Sequence, residues 1–295
     1  MDPFATSLVP LEGGWSGETF LAEAAGERTV VRIHAKPSSR GPQAHEVDAA
    51  LLRLVRGLVP VAEVLEVRRA DPASGMPALL VTSFLPGTRA DLLLPTLDEA
   101  GMRTLGANLG ALIARLAGMP MPRAGQFVDA DLRIEPFPGA EDLADWVELY
   151  AASLAFEAHT LAGLRRVAAA AQAHLDTVQR VCLVHSDLNP KNLLVDPESL
   201  AVTGLVDWEF AHAGSPYADL GNLLRFEREP AFADAVVGEY AARLDVDPRR
   251  ARELARAADL FALVELASRR GQNPVADRAH DLLRDIAENG VPALD

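Results

Sequence analysis

The chain has a single cysteine, Cys182, so no disulfide can form within it. Its place in the apolar run 181–184 marks a buried, unreactive thiol, which fits a reducing compartment, and the cytoplasm is the expected location. No stretch approaches the ~18 consecutive apolar residues of a membrane span. The opening residues MDPFATSLVP lack the basic start and long apolar core of a secretion signal, so no membrane partner is expected. Positive charge is scarce: 28 Lys and Arg face 42 Asp and Glu, a net charge of −14. Binding a phosphate backbone needs a basic surface, so nucleic acid is not expected as a partner either. The seven histidines are scattered without ligand spacing, which argues against a zinc site, and no internal repeat is visible.

What is present is apolar residue in quantity. With 49% hydrophobic and 24% charged residues in 295, the chain can bury the core of one large or two ordinary domains. The acidity is uneven. Residues 1–86 carry 8 basic and 10 acidic side chains, whereas residues 87–295 carry 20 and 32. A field of that sign attracts a small cationic molecule, although acidity also serves solubility alone.

Chemistry concentrates in two segments, VHSDLNPKNLLV at 184–195 and GLVDWE at 204–209. Asp187 and Asn192 have four residues between them. That spacing lets a phosphoryl-transfer loop aim a carboxylate at a hydroxyl proton and an amide oxygen at Mg²⁺, with Asp207 as the other metal ligand. The apolar runs 181–184, 193–195 and 202–206 read as buried strands, and rigid strand ends suit catalytic groups.

Together with GLVDWEFAHAGSPYADLGNLL at 204–224, HSDLNPKNLLV resembles the aminoglycoside phosphotransferase family, relatives of choline kinases and protein kinases. His185, Asp187, Asn192, Asp207, Trp208, Glu209, Gly214, Pro216, Asp219 and Leu220 match that family's pattern; Ser186 departs from it, standing where glycine is usual. The resemblance implies an α+β, two-lobed protein-kinase-like fold. A small β-rich lobe, 1–86, would cover the nucleotide, and a larger, mainly helical lobe, 87–295, would carry catalysis and the acceptor. The implied reaction moves the γ-phosphoryl group of ATP (or GTP), with Mg²⁺, to a hydroxyl of a small cationic acceptor, first of all an aminoglycoside-type antibiotic. A metabolic kinase of choline, a sugar amine or an amino-acid alcohol would share every motif. A catalytically weak nucleotide-binding regulator is the remaining reading, with Arg32 as its sole support.

In the first lobe, strands are expected at 7–12, 19–24 and 29–33 around Gly13-Gly-Trp-Ser-Gly17. Gly14 and Gly17 would let backbone approach phosphate oxygens and Ser16 would donate at the tip, unless the segment is an ordinary turn. Arg32 stands in the third strand where the family usually carries Lys, and strand alternation places it with Val30, His34 and Lys36 on one side. Its fork can grip phosphate. A helix is expected at 42–56, with Glu46 in its first turn pairing with Arg32. The strand 78–82 runs into a hinge at 83–87, where backbone near Ser83 and Leu85 would hold the adenine and Phe84 would pack.

Helical patterns then follow at 97–116, 142–158, 161–179, 217–225, 231–244, 248–269 and 274–288. Pro136, Pro138 and Gly139 break the chain into a loop on the acceptor side. Asp142, Asp145 and Glu209 are the carboxylates expected to meet a cationic acceptor, Glu209 having Mg²⁺ as its other possible partner. His185 is read as shaping the loop before Asp187, Asp219 as anchoring it by accepting backbone N–H bonds, and Lys191 as facing either the γ-phosphate or solvent.

Overall fold

The computed structural model describes residues 7–11, 18–24, 26–35, 40–71, 73–139, 142–226 and 229–290. Gly14, Ser16 and Gly17 of the expected phosphate hairpin, together with Lys36, lie outside them. In chain order the elements are β1 (Ser7–Pro10), β2 (Glu18–Ala24), β3 (Glu27–His34), α1 (Ala44–Val55), β4 (Val64–Arg68), β5 (Ala78–Ser83), β6 (Thr88–Arg89), α2 (Ala90–Leu93), α3 (Glu99–Ala117), β7 (Gly125–Phe127) and β8 (Ile134–Glu135). There follow α4 (Leu143–Leu154), α5 (Ala158–Leu175), β9 (Cys182–Val184), β10 (Leu193–Val195), β11 (Val202–Leu205), β12 (His212–Gly214), α6 (Ala218–Leu224), α7 (Pro230–Leu244), α8 (Pro248–Ala267) and α9 (Pro274–Asn289).

Two compact units result, each drawn from several stretches of chain. The first is Met1–Gly101, Gln126–Glu135 and Asn189–Ala211; the second is Met102–Gly125, Pro136–Leu188 and His212–Asp295. A single cut after residue 86 does not describe them, because the first unit runs on to Gly101 and takes in the β10–β11 hairpin, whose Leu205 N–H bonds the Pro60 carbonyl at 2.8 Å.

In the first unit an antiparallel sheet runs in the order β1-β2-β3-β5-β4. Helix α1 packs on β4 and β5 through Val47, Leu51 and Val55, all fully buried. Each such side chain contributes ~1.5–3 kcal/mol. Strand β4 escapes the sequence reading because it is a half-solvated edge: Glu66 and Arg68 point outward and pair with each other at 2.6 Å, which blurs its apolar alternation.

The second unit is mainly helical. Leu143, Val147, Leu164, Leu260, Val264 and Leu283 from four helices form one buried cluster, and the Trp146 indole N–H donates to the Phe261 carbonyl at 2.7 Å. Asp247 and Asn273 cap α8 and α9, each followed by proline at the first helical position. The expected helix 142–158 is cut by Ala155, left-handed at φ 53°, and α5 ends early, where Thr177 and Val178 turn their amides to the His174 and Leu175 carbonyls. Strand β9 pairs antiparallel with β12, and burial pushes the Cys182 thiol on β9 up to about 12.

Helices α5 and α9 meet at Gly163, where a Cβ would stand 2.0 Å from the Ala287 carbonyl oxygen. Gly163→Ala should therefore cost ~1–3 kcal/mol in chemical denaturation. Gly238→Ala in α7, with nothing within 4 Å of the added methyl, should instead gain about 0.5–1 kcal/mol from helix propensity.

Candidate active site

In the first unit the decisive feature is where Arg32 points. Strand β3 sets it opposite Thr19 and Leu80, and its guanidinium meets Asp207 at 3.1 Å and Glu209 at 2.6 Å. Both carboxylates come from the chain just past β11. There Val206 N–H bonds the Asn192 carbonyl at 3.0 Å, Asp207 is left-handed (φ 67°), and a 3₁₀ turn, Trp208–Phe210, follows. The buried Trp208 pins that turn by donating its indole N–H to the Leu205 carbonyl at 3.1 Å. Asn192 closes the turn Pro190–Asn192, which Asn189 caps, and is itself buried, while the Lys191 side chain is exposed. The β10–β11 hairpin thus brings Asn192 and Asp207 to one end of the same ladder.

Burial works against the charge of Arg32, yet Asp207, Asp48 and Glu209 together carry its pKa above the ordinary value. Burial also pushes the Asp207 carboxyl up; Arg32 opposes this and the Glu209 charge adds to it. The expected partner of Arg32 on α1 is corrected. Glu46 bonds the exposed Arg69 at 2.7 Å, and the carboxylate that α1 buries is Asp48, bonded to Arg40 at 2.9 Å. Burial raises Asp48 to about 6, with Arg40 and Arg32 pulling the other way. A helix position inside the stripe Val47, Leu51, Val55 was the signal for Asp48, whereas no local pattern marks Arg40.

At the hinge, the Ser83 N–H donates to the Glu63 carbonyl and the Ser83 hydroxyl accepts from the Glu63 N–H, both at 2.9 Å. These two bonds commit the Ser83 N–H and one lone pair of its hydroxyl to Glu63. Phe84 packs under Arg28, whose guanidinium carbon lies 3.9 Å from the ring centroid.

In the second unit β9 delivers His185, Ser186 and Asp187. Asp219, in the first turn of α6, accepts the His185 and Ser186 N–H groups at 2.9 and 2.8 Å, and His185 Nδ1 accepts from the Asp187 N–H at 3.3 Å. Ser186 is left-handed (φ 69°), the conformation that glycine adopts without strain. Asp187 is partly exposed, and its charge acts on the buried Arg225, which grips Asp259 through two bonds of 2.8 and 2.6 Å. The acceptor-side carboxylates have local work: Asp142 is the N-cap of α4, accepting the Asp145 N–H at 2.9 Å, and Asp145 is an exposed first-turn acid. Glu209, also expected to meet a cation, meets the cation of Arg32.

The donor set suits Mg²⁺. Asp207, Glu209 and Asn192 offer only oxygen as anionic or neutral ligand atoms, the hard donors this ion takes, and two carboxylates on one guanidinium leave negative charge for a further cation to offset. Among the described residues no three or more His, Cys, Asp or Glu gather as a metal cluster. One or two protein oxygens with phosphate oxygens complete the usual shell of Mg²⁺.

Burial raises Asp219 to about 6, against the two N–H bonds that favour its charged form. A carboxyl whose folded pKa is raised binds more protons folded than unfolded, so its stabilising contribution is full below the unfolded value near 3.9 and falls as the pH rises through about 6. Denaturation of the parent and Asp219→Asn across this range should therefore show the parent losing stability relative to the variant between these values and running parallel above.

The sequence profile of the phosphotransferase enzyme family (APH) matches residues 7–254. Among solved structures, the chain is similar to a Ralstonia eutropha JMP134 protein provisionally assigned as an aminoglycoside phosphotransferase (TM-score 0.70, 17% identity, covering 97% of this chain and 92% of that one). It is similar too to a thermostable variant of aminoglycoside phosphotransferase APH(4)-Ia in complex with ADP and hygromycin B (TM-score 0.69, 16% identity, 98% and 96% covered). Among curated proteins it matches mouse acyl-CoA dehydrogenase family members 10 and 11 at 26% and 22% identity, over 72% and 75% of this chain. It spans only 20% and 28% of their lengths. The fold is thus the protein-kinase-like one of the aminoglycoside phosphotransferases, and the chain belongs to the phosphotransferase enzyme family.

Proposed function

We propose that the chain transfers the γ-phosphoryl group of ATP, or of GTP, to a hydroxyl of a small molecule. The observation that carries this reading is the meeting of the β3 cation with the carboxylates after β11, Arg32 with Asp207 and Glu209, beside an Asn192 buried on the same hairpin. In this reading Asp187 orients the acceptor hydroxyl and takes its proton. Asn192 and Asp207 hold Mg²⁺, which supplies charge neutralisation at the phosphate oxygens. Arg32 binds phosphate, with Glu209 steering its fork, and the Ser83 carbonyl and Leu85 amide hold the base. All of this is positioning and electrostatics, without a covalent intermediate.

For the acceptor, the first reading is an aminoglycoside-type polycation, supported by the acidic balance of residues 87–295 and by the hygromycin B complex of the APH(4)-Ia relative. The second is an uncharged or anionic metabolic alcohol. It is favoured by the helix-starting work of Asp142 and Asp145. A reducing intracellular location and the lack of nucleic-acid or membrane partners remain part of the proposal; no helix among the described residues is long and apolar enough to cross a membrane.

Asp187→Asn should lower kcat by ~10²–10⁴-fold while calorimetry finds nucleotide affinity little changed. Parental turnover in that variant would remove the role. A panel of hydroxylated cations, neutral alcohols and hydroxy acids, assayed at low and physiological salt, separates the two acceptor readings. A polycation steered by the acidic field should lose kcat/KM steeply as screening shortens the field to ~8 Å. A flat salt response with a neutral or anionic best substrate selects the second.

A further inference from the structure

Two guanidinium groups, Arg32 and Arg40, meet the carboxylates Asp48, Asp207 and Glu209. Arg40, in the turn before α1, has a side chain only 7% exposed; one nitrogen bonds Asp48 at 2.9 Å and another donates to the Ala211 carbonyl. Ala211 closes the turn that carries Glu209, its own N–H returning to the Trp208 carbonyl at 3.0 Å. The stretch begins at Asp207 in a left-handed conformation, which costs a residue with a side chain ~1–2 kcal/mol and persists only when the surroundings enforce it. Trp208 holds one end of it through the Leu205 carbonyl. Arg40 holds the other. A planar fork is needed, because two acceptors on different elements must be reached from one head group, which a lysine ammonium does with less fit.

We propose that Arg40 is a positioning residue for phosphoryl transfer: by joining Asp48 of α1 to the Ala211 carbonyl it fixes the turn that presents Asp207 and Glu209 to Arg32. Stability alone does not explain the pair. Burying two charges costs much of what their attraction returns, and apolar replacement of a whole buried pair is often neutral or stabilising. What an apolar pair cannot supply is a donor for the Ala211 carbonyl.

This inference rests on the phosphotransferase reading, and its test separates the two. The variants are the double replacement Arg40→Leu with Asp48→Leu, and the single changes Arg40→Lys and Asp48→Asn. The readouts are thermal melting, hydrogen exchange of the Ala211 amide, kcat and KM, and calorimetry with ADP alone and with Mg²⁺ and ADP. The double variant should melt near the parent, lose protection at Ala211 and lose about 100-fold in kcat, the scale of a reacting group displaced by an ångström, with acceptor KM unchanged. Its binding of ADP should lose the part that depends on Mg²⁺. Arg40→Lys should fall between. Should the double variant not fold, Arg40→Lys and Asp48→Asn report on the same amide. Parental exchange at Ala211, or parental kcat with exchange accelerated, overturns the proposal. Were the parent itself to phosphorylate nothing, the phosphotransferase reading would fail, while the exchange data would still decide whether Arg40 holds the turn.

Discussion

One guanidinium shared by two carboxylates constrains the first unit more than any other contact. For Arg32 to meet Asp207 and Glu209, the register of β3, the end of β11 and the turn after it must be right together, since each comes from a different piece of backbone. At ~4 Å and an effective dielectric near 20, each attraction is worth about 4 kcal/mol before desolvation is subtracted. Desolvation removes much of that: burial pushes the Asp207 carboxyl up despite its partner. The cluster is therefore a weak source of stability and a strong specifier of geometry. Its five charges, Arg32, Arg40, Asp48, Asp207 and Glu209, sum to one negative charge, which a cation can offset without rebuilding the site.

The two units treat the candidate carboxylates Asp207 and Asp187 alike. Asp207 is left-handed in the first, and Ser186, just before Asp187, is left-handed in the second. Neither is glycine, so each conformation is enforced from outside. In the first unit the anchors are Trp208 and Arg40; in the second they are the Asp219 carboxylate on two successive amides and Asn222 on the Ser186 carbonyl at 3.4 Å. Strain held next to a reacting group keeps it from relaxing to a commoner geometry when the reaction changes its surroundings.

How much of this could be read from the sequence follows from how local each feature is. Asn192 and Asp207 come to one end of a ladder because β10 and β11 form a local hairpin, which the sequence carries as two short apolar runs. Asp219 was legible because its partners lie on the loop that its motif accompanies. Glu46 opens α1, the position where a first-turn acid is expected, but the buried carboxylate belongs to the apolar stripe, where Asp48 sits beside Val47 and Leu51. The partner of Glu46, Arg69, lies past a strand that the pattern conceals. Asp142, three residues before Asp145 at a helix start, carries a plain capping pattern, and capping α4 is what it does. Arg40 carries no signal at all, since its acceptors are a helix carboxylate and a carbonyl far along the chain.

Charge shows the same division between what is global and what is local. The acidic excess is summed over a whole surface and governs encounter, where it favours a cation. On the proposed reading an acceptor hydroxyl is selected near Asp187, and of the charges that this carboxylate acts on, Asp219 is committed to backbone amides and Arg225 to Asp259. A buried Arg–Asp pair presents little net charge, yet breaking it leaves a charge unpaired and costly. Such a pair is a poor counter-ion for an acceptor of either sign. On the proposed reading an acceptor is then distinguished near its reacting hydroxyl by shape and hydrogen bonding, while its charge is felt mainly on approach.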